Sequence, residues 1–261
     1  MLKVNHLRLD YGKRNIVADL SIQGLRRGTV TSLLGPNGSG KSTLLKALAG
    51  LLRTSSGEIL LDDHDLTRAS FENRAKHVVY LPQSLPESVH LRVFESVLVA
   101  ANASSYGSET SDNDLETIYA LLHRLGIDHL AMHFLDQLSG GQKQLVGLAQ
   151  ALIRKPRLLL LDEPLSALDL NYQFHVMDLL HQETHEHGLI TVIVLHDLNI
   201  ALRHSDYALM IRQGQLLAEG APDQVITAQT LADCYGVDGR IESCSRGIPQ
   251  VLIDGLRNPI R

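Results

Sequence analysis

Gly35-Pro36-Asn37-Gly38-Ser39-Gly40-Lys41-Ser42 satisfies G-x-x-x-x-G-K-[ST] in full. Glycines at those positions let the backbone curl so that successive N–H groups point at phosphate oxygens. A following helix would add the partial positive charge of its N-terminus. Lys41 can then reach the β- and γ-phosphates, the Ser42 hydroxyl is placed to ligate Mg²⁺, and Thr43 follows on the same turn. The chemistry this loop fits is binding of a nucleoside triphosphate.

Leu158-Leu159-Leu160-Leu161-Asp162-Glu163 ends an apolar run on two adjacent carboxylates. Such a pair is unfavourable unless a cation or a proton relieves it. With Mg²⁺ nearby, Asp162 can hold the metal through its water shell, and Glu163 can orient and deprotonate an attacking water. Upstream, Leu138-Ser139-Gly140-Gly141-Gln142 reads by itself as a helix cap after a flexible turn. His181, Glu183, His185, Glu186 and His187 suggest a metal site at i,i+4 spacing, but a solvated helix end accounts for them. Cys234 and Cys244 read as free thiols.

These residues need a frame that places them. Leu2-Val4-Leu7-Leu9, Leu20-Ile22 and Val30-Ser32-Leu34 are short alternating segments, hence strands, with turn signals at Gly24 and Gly28. After Gly35 the period lengthens: Leu44-Leu45, Leu48 and Leu51-Leu52 form one helical face that Ser55-Ser56-Gly57 ends. Strand returns at Glu58-Ile59-Leu60-Leu61. Val93 to Ile153 is mainly helical, with an exposed loop expected over Ser104–Asn113. Leu158–Leu161 and Ile190–Leu195 are continuous apolar runs, which suit strands covered on both faces. A helix over Gln173–Glu186 joins them. After Gly220 one short helix and a little extended chain are expected. The pattern is an α/β core interrupted by a helical insert.

Composition narrows the classes. The 261 residues are 44% hydrophobic, and the longest greasy stretch, Leu189–Leu195, has the length of a buried strand, far short of the roughly 18 residues of a membrane span. Met1-Leu2-Lys3-Val4-Asn5-His6 lacks the pattern of a signal peptide, and two cysteines are too few for a disulfide scaffold, so a cytosolic setting is expected. A net charge of -5 argues against a general binder of nucleic acid.

Taken in order, the motifs resemble the ATP-binding-cassette family, over nearly the whole chain. Gly35–Ser42 is similar to its Walker A motif, Gln83 in Tyr80-Leu81-Pro82-Gln83 to its Q-loop, and Leu138–Gln142 to its signature. Leu158–Glu163 is similar to Walker B, Ser166-Ala167-Leu168-Asp169 to the D-loop, and His196 to the switch histidine. Tyr11 lies where the family stacks an aromatic ring on adenine. The resemblance implies a P-loop NTPase (RecA-like) α/β core with an N-terminal antiparallel β subdomain and an inserted α-helical subdomain. It divides the single domain 1–261 into catalytic core (1–85 and 154–220), helical signature subdomain (86–153) and C-terminal extension (221–261).

It also implies ATP and Mg²⁺ as cofactors, with Ser42, Gln83 and Asp162 toward the metal. Glu163, His196, Gln83 and Lys41 would act in hydrolysis. The partner implied is a second copy of the chain, paired head to tail, so that Ser139, Gly140, Gly141 and Gln142 of one cover the γ-phosphate held by the other. Asp169 would couple the two sites. Integral membrane permease subunits, and indirectly a substrate-binding protein, would complete an importer, with the chain peripheral on the cytoplasmic face of the inner membrane.

His196-Asp197-Leu198-Asn199-Ile200-Ala201, Gly220-Ala221-Pro222 and Leu231 to Asp238 resemble cassettes of iron–siderophore, haem and cobalamin importers. Two departures stand out: Ala101-Asn102-Ala103-Ser104 replaces the usual Gly-Arg-x-Pro, and Gln150 replaces Arg. A chromosome-maintenance ATPase would need a long coiled coil, and a translation factor two cassettes; neither is present in the sequence. The alternative is a soluble ATPase of iron–sulfur cluster assembly, whose signature usually departs from Ser-Gly-Gly-Gln.

Overall fold

A computed structural model describes residues 1–12, 14–83, 89–103 and 112–257, the side chains of 112–114 excepted. The chain starts with β1 (Leu2–Tyr11), β2 (Arg14–Leu25) and β3 (Thr29–Leu34), then α1 (Lys41–Ala49), β4 (Ser56–Leu61) and β5 (His64–Asp65). Next come α2 (Phe71–Ala75), β6 (Val78–Leu81), α3 (Val93–Asn102), α4 (Asp112–Arg124) and α5 (Gly140–Leu152). Then follow β7 (Leu158–Leu161), α6 (Leu170–His187), β8 (Ile190–Val194), α7 (Leu198–His204), β9 (Tyr207–Arg212) and β10 (Gln215–Gly220). The tail holds α8 (Pro222–Val225), α9 (Ala228–Tyr235), β11 (Val237–Ser243) and β12 (Pro249–Leu256).

Two sheets share the core. One is antiparallel, in the order β2-β1-β4-β5; the other runs β10-β9-β3-β8-β7-β6 and is parallel except at β10. The apolar run of β7 shows why a parallel strand needs grease on every residue. Leu158 and Leu160 enter one buried cluster with β1, β2 and α1, whereas Leu159 and Leu161 enter the other, with α5 and α6. Each face of the larger sheet is thereby covered. The loops leaving β3, β7 and β8, parallel neighbours, all open at one edge of the sheet.

Four expectations are corrected. The helix after the glycine loop does not run to Ser55: Gly50 adopts the left-handed conformation (φ 77°) and caps α1 through its N–H to the Ala47 and Lys46 carbonyls. Leu51 then lies beyond the helix and 55% exposed, although its spacing continues the apolar face. The segment after Gly220 holds two helices, α8 and α9, and a two-stranded hairpin, β11–β12, in place of one helix and loose chain. The helix expected over Gln173–Glu186 starts earlier, at Leu170, because Asp169 caps it by accepting from Tyr172 N–H at 2.9 Å. Of the expected Ser104–Asn113 loop, residues 104–111 lie outside the described residues, and Asp112 and Asn113 begin α4.

Candidate functional site

The glycine loop leaves β3 and feeds α1, as its chemistry requires. Gly35 cannot be replaced without moving backbone: a Cβ there would sit 2.1 Å from the Ile211 carbonyl oxygen, and the φ of +145° is foreign to other residues. Ser39 Oγ is buried with no hydrogen-bond partner among the described residues, a polar atom left for a ligand to satisfy. Lys41 is buried, and its ammonium donates to the Gly35 and Pro36 carbonyls at 2.8 and 2.9 Å. Burial pulls its pKa below the usual lysine value, with the Glu163 and Asp162 carboxylates pulling the other way.

Ser42 Oγ donates to Asp162 Oδ1 at 3.0 Å, and the Tyr80 hydroxyl donates to Oδ2 at 3.0 Å. Both oxygens of this buried carboxylate are therefore held. Burial raises the Tyr80 pKa, and the neighbouring Asp162 charge adds to it, so the phenol stays a donor. The next residue turns sharply: Glu163 has φ 52°, a left-handed backbone that costs a non-glycine residue about 1–3 kcal/mol and is kept where a site demands it. The turn is held by Gln144 Nε2 and Ser166 Oγ, which donate to the Glu163 carbonyl at 3.3 and 3.1 Å. It aims the carboxylate between two loops. Gln83 Nε2 donates to Oε2 at 2.6 Å, and His196 Nε2 lies 2.7 Å from Oε1.

A cleft of about 280 Å³ opens over the glycine loop, lined by Asn37, Gly38, Gly40, Lys41, Ser42, Thr43 and Glu163, and by Arg14 and Ile16 of β2. Tyr11 pairs with Arg14 across the β1–β2 ladder but is 73% exposed and outside that lining. The structure thus gathers Lys41, Ser42, Asp162, Glu163, Gln83 and His196. It does not bring the signature to them.

Ser139 caps α5 reciprocally: its Oγ accepts from Gln142 N–H at 3.3 Å, and Gln142 Oε1 accepts from Ser139 N–H at 2.9 Å. Together with Gly140, Gly141 and Asp169 these residues line a second cleft of about 530 Å³, which shares no lining residue with the first. Gly141 is packed against the D-loop so closely that a Cβ would meet the Ala167 carbonyl at 2.7 Å.

Hydroxyl and carboxylate oxygens form the donor set at Ser42 and Asp162, which fits a hard cation such as Mg²⁺. Elsewhere the His181–His187 residues are engaged with neighbours: His181 with Asp206 at 3.4 Å, Gln182 with Glu186, and buried Glu183 with Arg124 and His187. Burial pushes the Cys234 thiol up to about 11.

Sequence reasoning missed Tyr80, Gln144, Arg14 and Ile16 as parts of the site. Tyr80 carries a signal in retrospect, three residues before Gln83 on a strand whose register places it beside Leu160. Gln144, one turn into the signature helix, carries none.

The family model for ABC transporters matches residues 18–166. The chain is 38% identical over 252 residues to an uncharacterized ABC transporter ATP-binding protein of Methanocaldococcus jannaschii, covering 97% of each. It is 38% identical to the hemin import ATP-binding protein HmuV of Shewanella denitrificans (92% of this chain, 95% of that one). With the iron(3+)-hydroxamate import ATP-binding protein FhuC of Bacillus subtilis the identity is 36% (92% and 89%). Among solved structures, an inward-facing ABC transporter assigned to the metal-chelate type aligns with a TM-score of 0.80 at 26% identity, over 98% of this chain and 97% of that one. A dimeric ABC transporter cassette aligns at 0.76 and 26%, over 85% and 99%.

Proposed function

The chain belongs to the ABC transporter family and is an ATP-hydrolysing cassette of it, and from that premise we propose that it is the nucleotide-binding subunit of a membrane importer for an iron chelate, a siderophore complex or haem. The observation that carries the mechanism is the double hold on Glu163: Gln83 on one carboxylate oxygen and His196 on the other. A carboxylate so oriented, beside a glycine loop and an acid–hydroxyl pair, is built to aim a water at a terminal phosphate.

ATP lies over the glycine loop, with Lys41 turning from the Gly35 and Pro36 carbonyls to the phosphates. Ser42 and Asp162, together with Gln83, would hold Mg²⁺, which would supply charge neutralisation at the phosphate oxygens. Glu163 takes the proton of the attacking water, and His196 fixes the carboxylate from the opposite side. Arg14 and Ile16 supply the wall of the cleft on the β-sheet side, and Tyr11, at the same hairpin end, swings onto the adenine.

The two clefts of one chain are separate, so a site needs two chains. Ser139, Gly140, Gly141 and Gln142 of one subunit close over the phosphates held by its partner, and Asp169, at the end of the D-loop, links the two. Solved structures similar to this chain include a dimeric cassette. Closing and opening of this seam is the mechanical output. Among the described residues no helix is long and apolar enough to cross a membrane. The path for the cargo therefore belongs to permease subunits that this chain grips from the cytoplasmic face of the inner membrane, served by a substrate-binding protein. We assign 1–85 and 154–220 to the catalytic core, 86–153 to the helical part that meets the permease, and 221–261 to a C-terminal extension.

The cargo class follows from relatives that serve hemin and iron(3+)-hydroxamate import. Purification of the tagged chain in mild detergent tests the assignment. A co-purifying polytopic membrane protein, in a complex with this chain whose ATPase rate rises with haem or a ferric siderophore on the binding protein, supports it; recovery of soluble iron–sulfur assembly factors alone would overturn it.

A further inference from the structure

The segment His196-Asp197-Leu198-Asn199 ends in a residue that the hydrolytic reading leaves without work. Its side chain has a definite partner. Asn199 Oδ1 accepts a hydrogen bond from the backbone N–H of Val251 at 2.7 Å, across 52 positions of sequence. Val251 lies in β12 and is 8% exposed. It stands opposite Ile241 in a two-stranded ladder, so β12 has an outer edge whose N–H groups the hairpin itself cannot satisfy. Asn199 supplies one of the missing acceptors.

Asn199 is held at its other end as well. Asp197 caps α7, its Oδ1 accepting from the N–H groups of Asn199 at 2.7 Å and Ile200 at 3.1 Å. Asp197 is covalently next to His196, whose Nε2 is 2.7 Å from Glu163 Oε1. One continuous set of bonds therefore joins the C-terminal hairpin to the carboxylate that aims the water: Val251 N–H, Asn199, the Asp197 cap, His196, Glu163. The same extension also reaches the glycine loop, for Cys234 on α9 lies 3.8 Å from the Ile211 carbonyl, the atom that abuts Gly35.

We propose that Asn199 is a positioning residue for hydrolysis, latching the first turn of α7 to the C-terminal hairpin and thereby fixing His196 against Glu163. The latch explains why a feature just after the switch histidine and a feature at the far end of the chain belong together: they are two halves of one contact. It rests on the roles assigned above to Glu163 and His196. Asn199 never touches nucleotide; it acts by limiting where α7 can begin, and a loosened first turn lets the imidazole drift from Oε1.

The test is steady-state ATPase measurement on the full chain carrying Asn199→Ala, Asn199→Asp and Val251→Pro. Asp keeps an acceptor oxygen at the same place, whereas Ala removes it and Pro removes the donor. Asn199→Ala and Val251→Pro should each lower kcat about three- to tenfold, the worth of one hydrogen bond, with KM for ATP within twofold of wild type. The double variant should lose no more than either single. Asn199→Asp should restore kcat. The imidazole NMR signal of His196, identified by its loss in His196→Gln, should move in Asn199→Ala and return in Asn199→Asp. A merely stabilising contact would lower the melting temperature without moving that signal or kcat. Wild-type kcat in Asn199→Ala, additive losses in the double variant, or an Asp variant as slow as Ala would overturn the latch. Failure of the underlying reading is distinguishable, because then Glu163→Gln itself would keep full turnover.

Discussion

Ser42 Oγ stands 3.0 Å from Asp162 Oδ1, although 120 positions separate them. The contact exists because α1 starts beside the end of β7, and it leaves the carboxylate with a hydroxyl on each oxygen, Ser42 on one and Tyr80 on the other. Asp162→Asn keeps the size but replaces one acceptor oxygen by a donor amide and removes the charge. The hydrolysis rate at saturating ATP should fall by about 10²-fold or more, and the Mg²⁺ concentration for half-activity should rise. A magnesium titration of ATPase activity checks both; an unchanged half-activation point would remove Asp162 from the metal's surroundings.

Glu163→Gln retains the side chain's shape and leaves no base. Turnover should drop by about 10²–10⁴-fold, with ATP still bound. On the proposed two-chain site, in which hydrolysis loosens the seam, this variant should elute as a dimer with ATP and as a monomer with ADP in light-scattering chromatography. Adding Ser139→Arg fills the signature cleft and should abolish the dimer while leaving ATP affinity within a few-fold. A dimer that survives Ser139→Arg would refute the two-chain site.

Motifs that are contiguous in sequence were readable because their geometry is local. The glycine loop needs only a strand before it and a helix after it, and Asp162 and Glu163 need only the end of an apolar strand. What could not be read comes from pairing across the chain. Tyr80 meets Asp162 because β6 and β7 lie in register, Tyr80 opposite Leu160. Gln144 meets Glu163 because α5 packs under the turn. The helix end at Gly50 was hidden by Leu51 and Leu52, which continue the apolar spacing; a left-handed glycine and the Arg74 guanidinium override that spacing. The hairpin β11–β12 was hidden because much of it is exposed, so its alternation is weak.

Acid should unfasten the end of β4. At Asp62 burial works against the charge, yet the hydrogen bond from Arg27 and the N-terminal ammonium overcome it and draw the pKa down to about 2. A carboxylate with a depressed folded-state pKa stabilises the fold above its unfolded value, near 4, and loses that contribution as pH falls toward about 2. The melting temperature of the wild type should therefore exceed that of Asp62→Asn at pH 6 and converge on it between pH 4 and 2. Parallel curves across that range would show that the Arg27 pair contributes nothing.

Arg74 closes the C-terminal end of the nucleotide helix. Nη1 donates to the Ala47 and Leu48 carbonyls at 3.0 and 3.3 Å, and Nη2 donates to the Leu66 carbonyl. The last carbonyls of a helix lack internal partners and carry the negative end of its dipole, so a buried cation there answers both needs. Gly50 makes room: a Cβ would come within 2.6 Å of the Arg74 side chain. Arg74→Ala takes the donor from the Leu48 carbonyl in a 7% exposed position, while Ala47 keeps the Gly50 N–H and Leu66 the Ala69 N–H, and should cost about 1–2 kcal/mol in urea unfolding, with the m value unchanged. The same loss should weaken ATP binding several-fold, because α1 carries Lys41 and Ser42 at its other end. Arg74→Lys, with a single ammonium unable to span carbonyls on two segments, should recover only part of the stability. Equal stability of all three proteins would show that α1 needs no cap beyond Gly50.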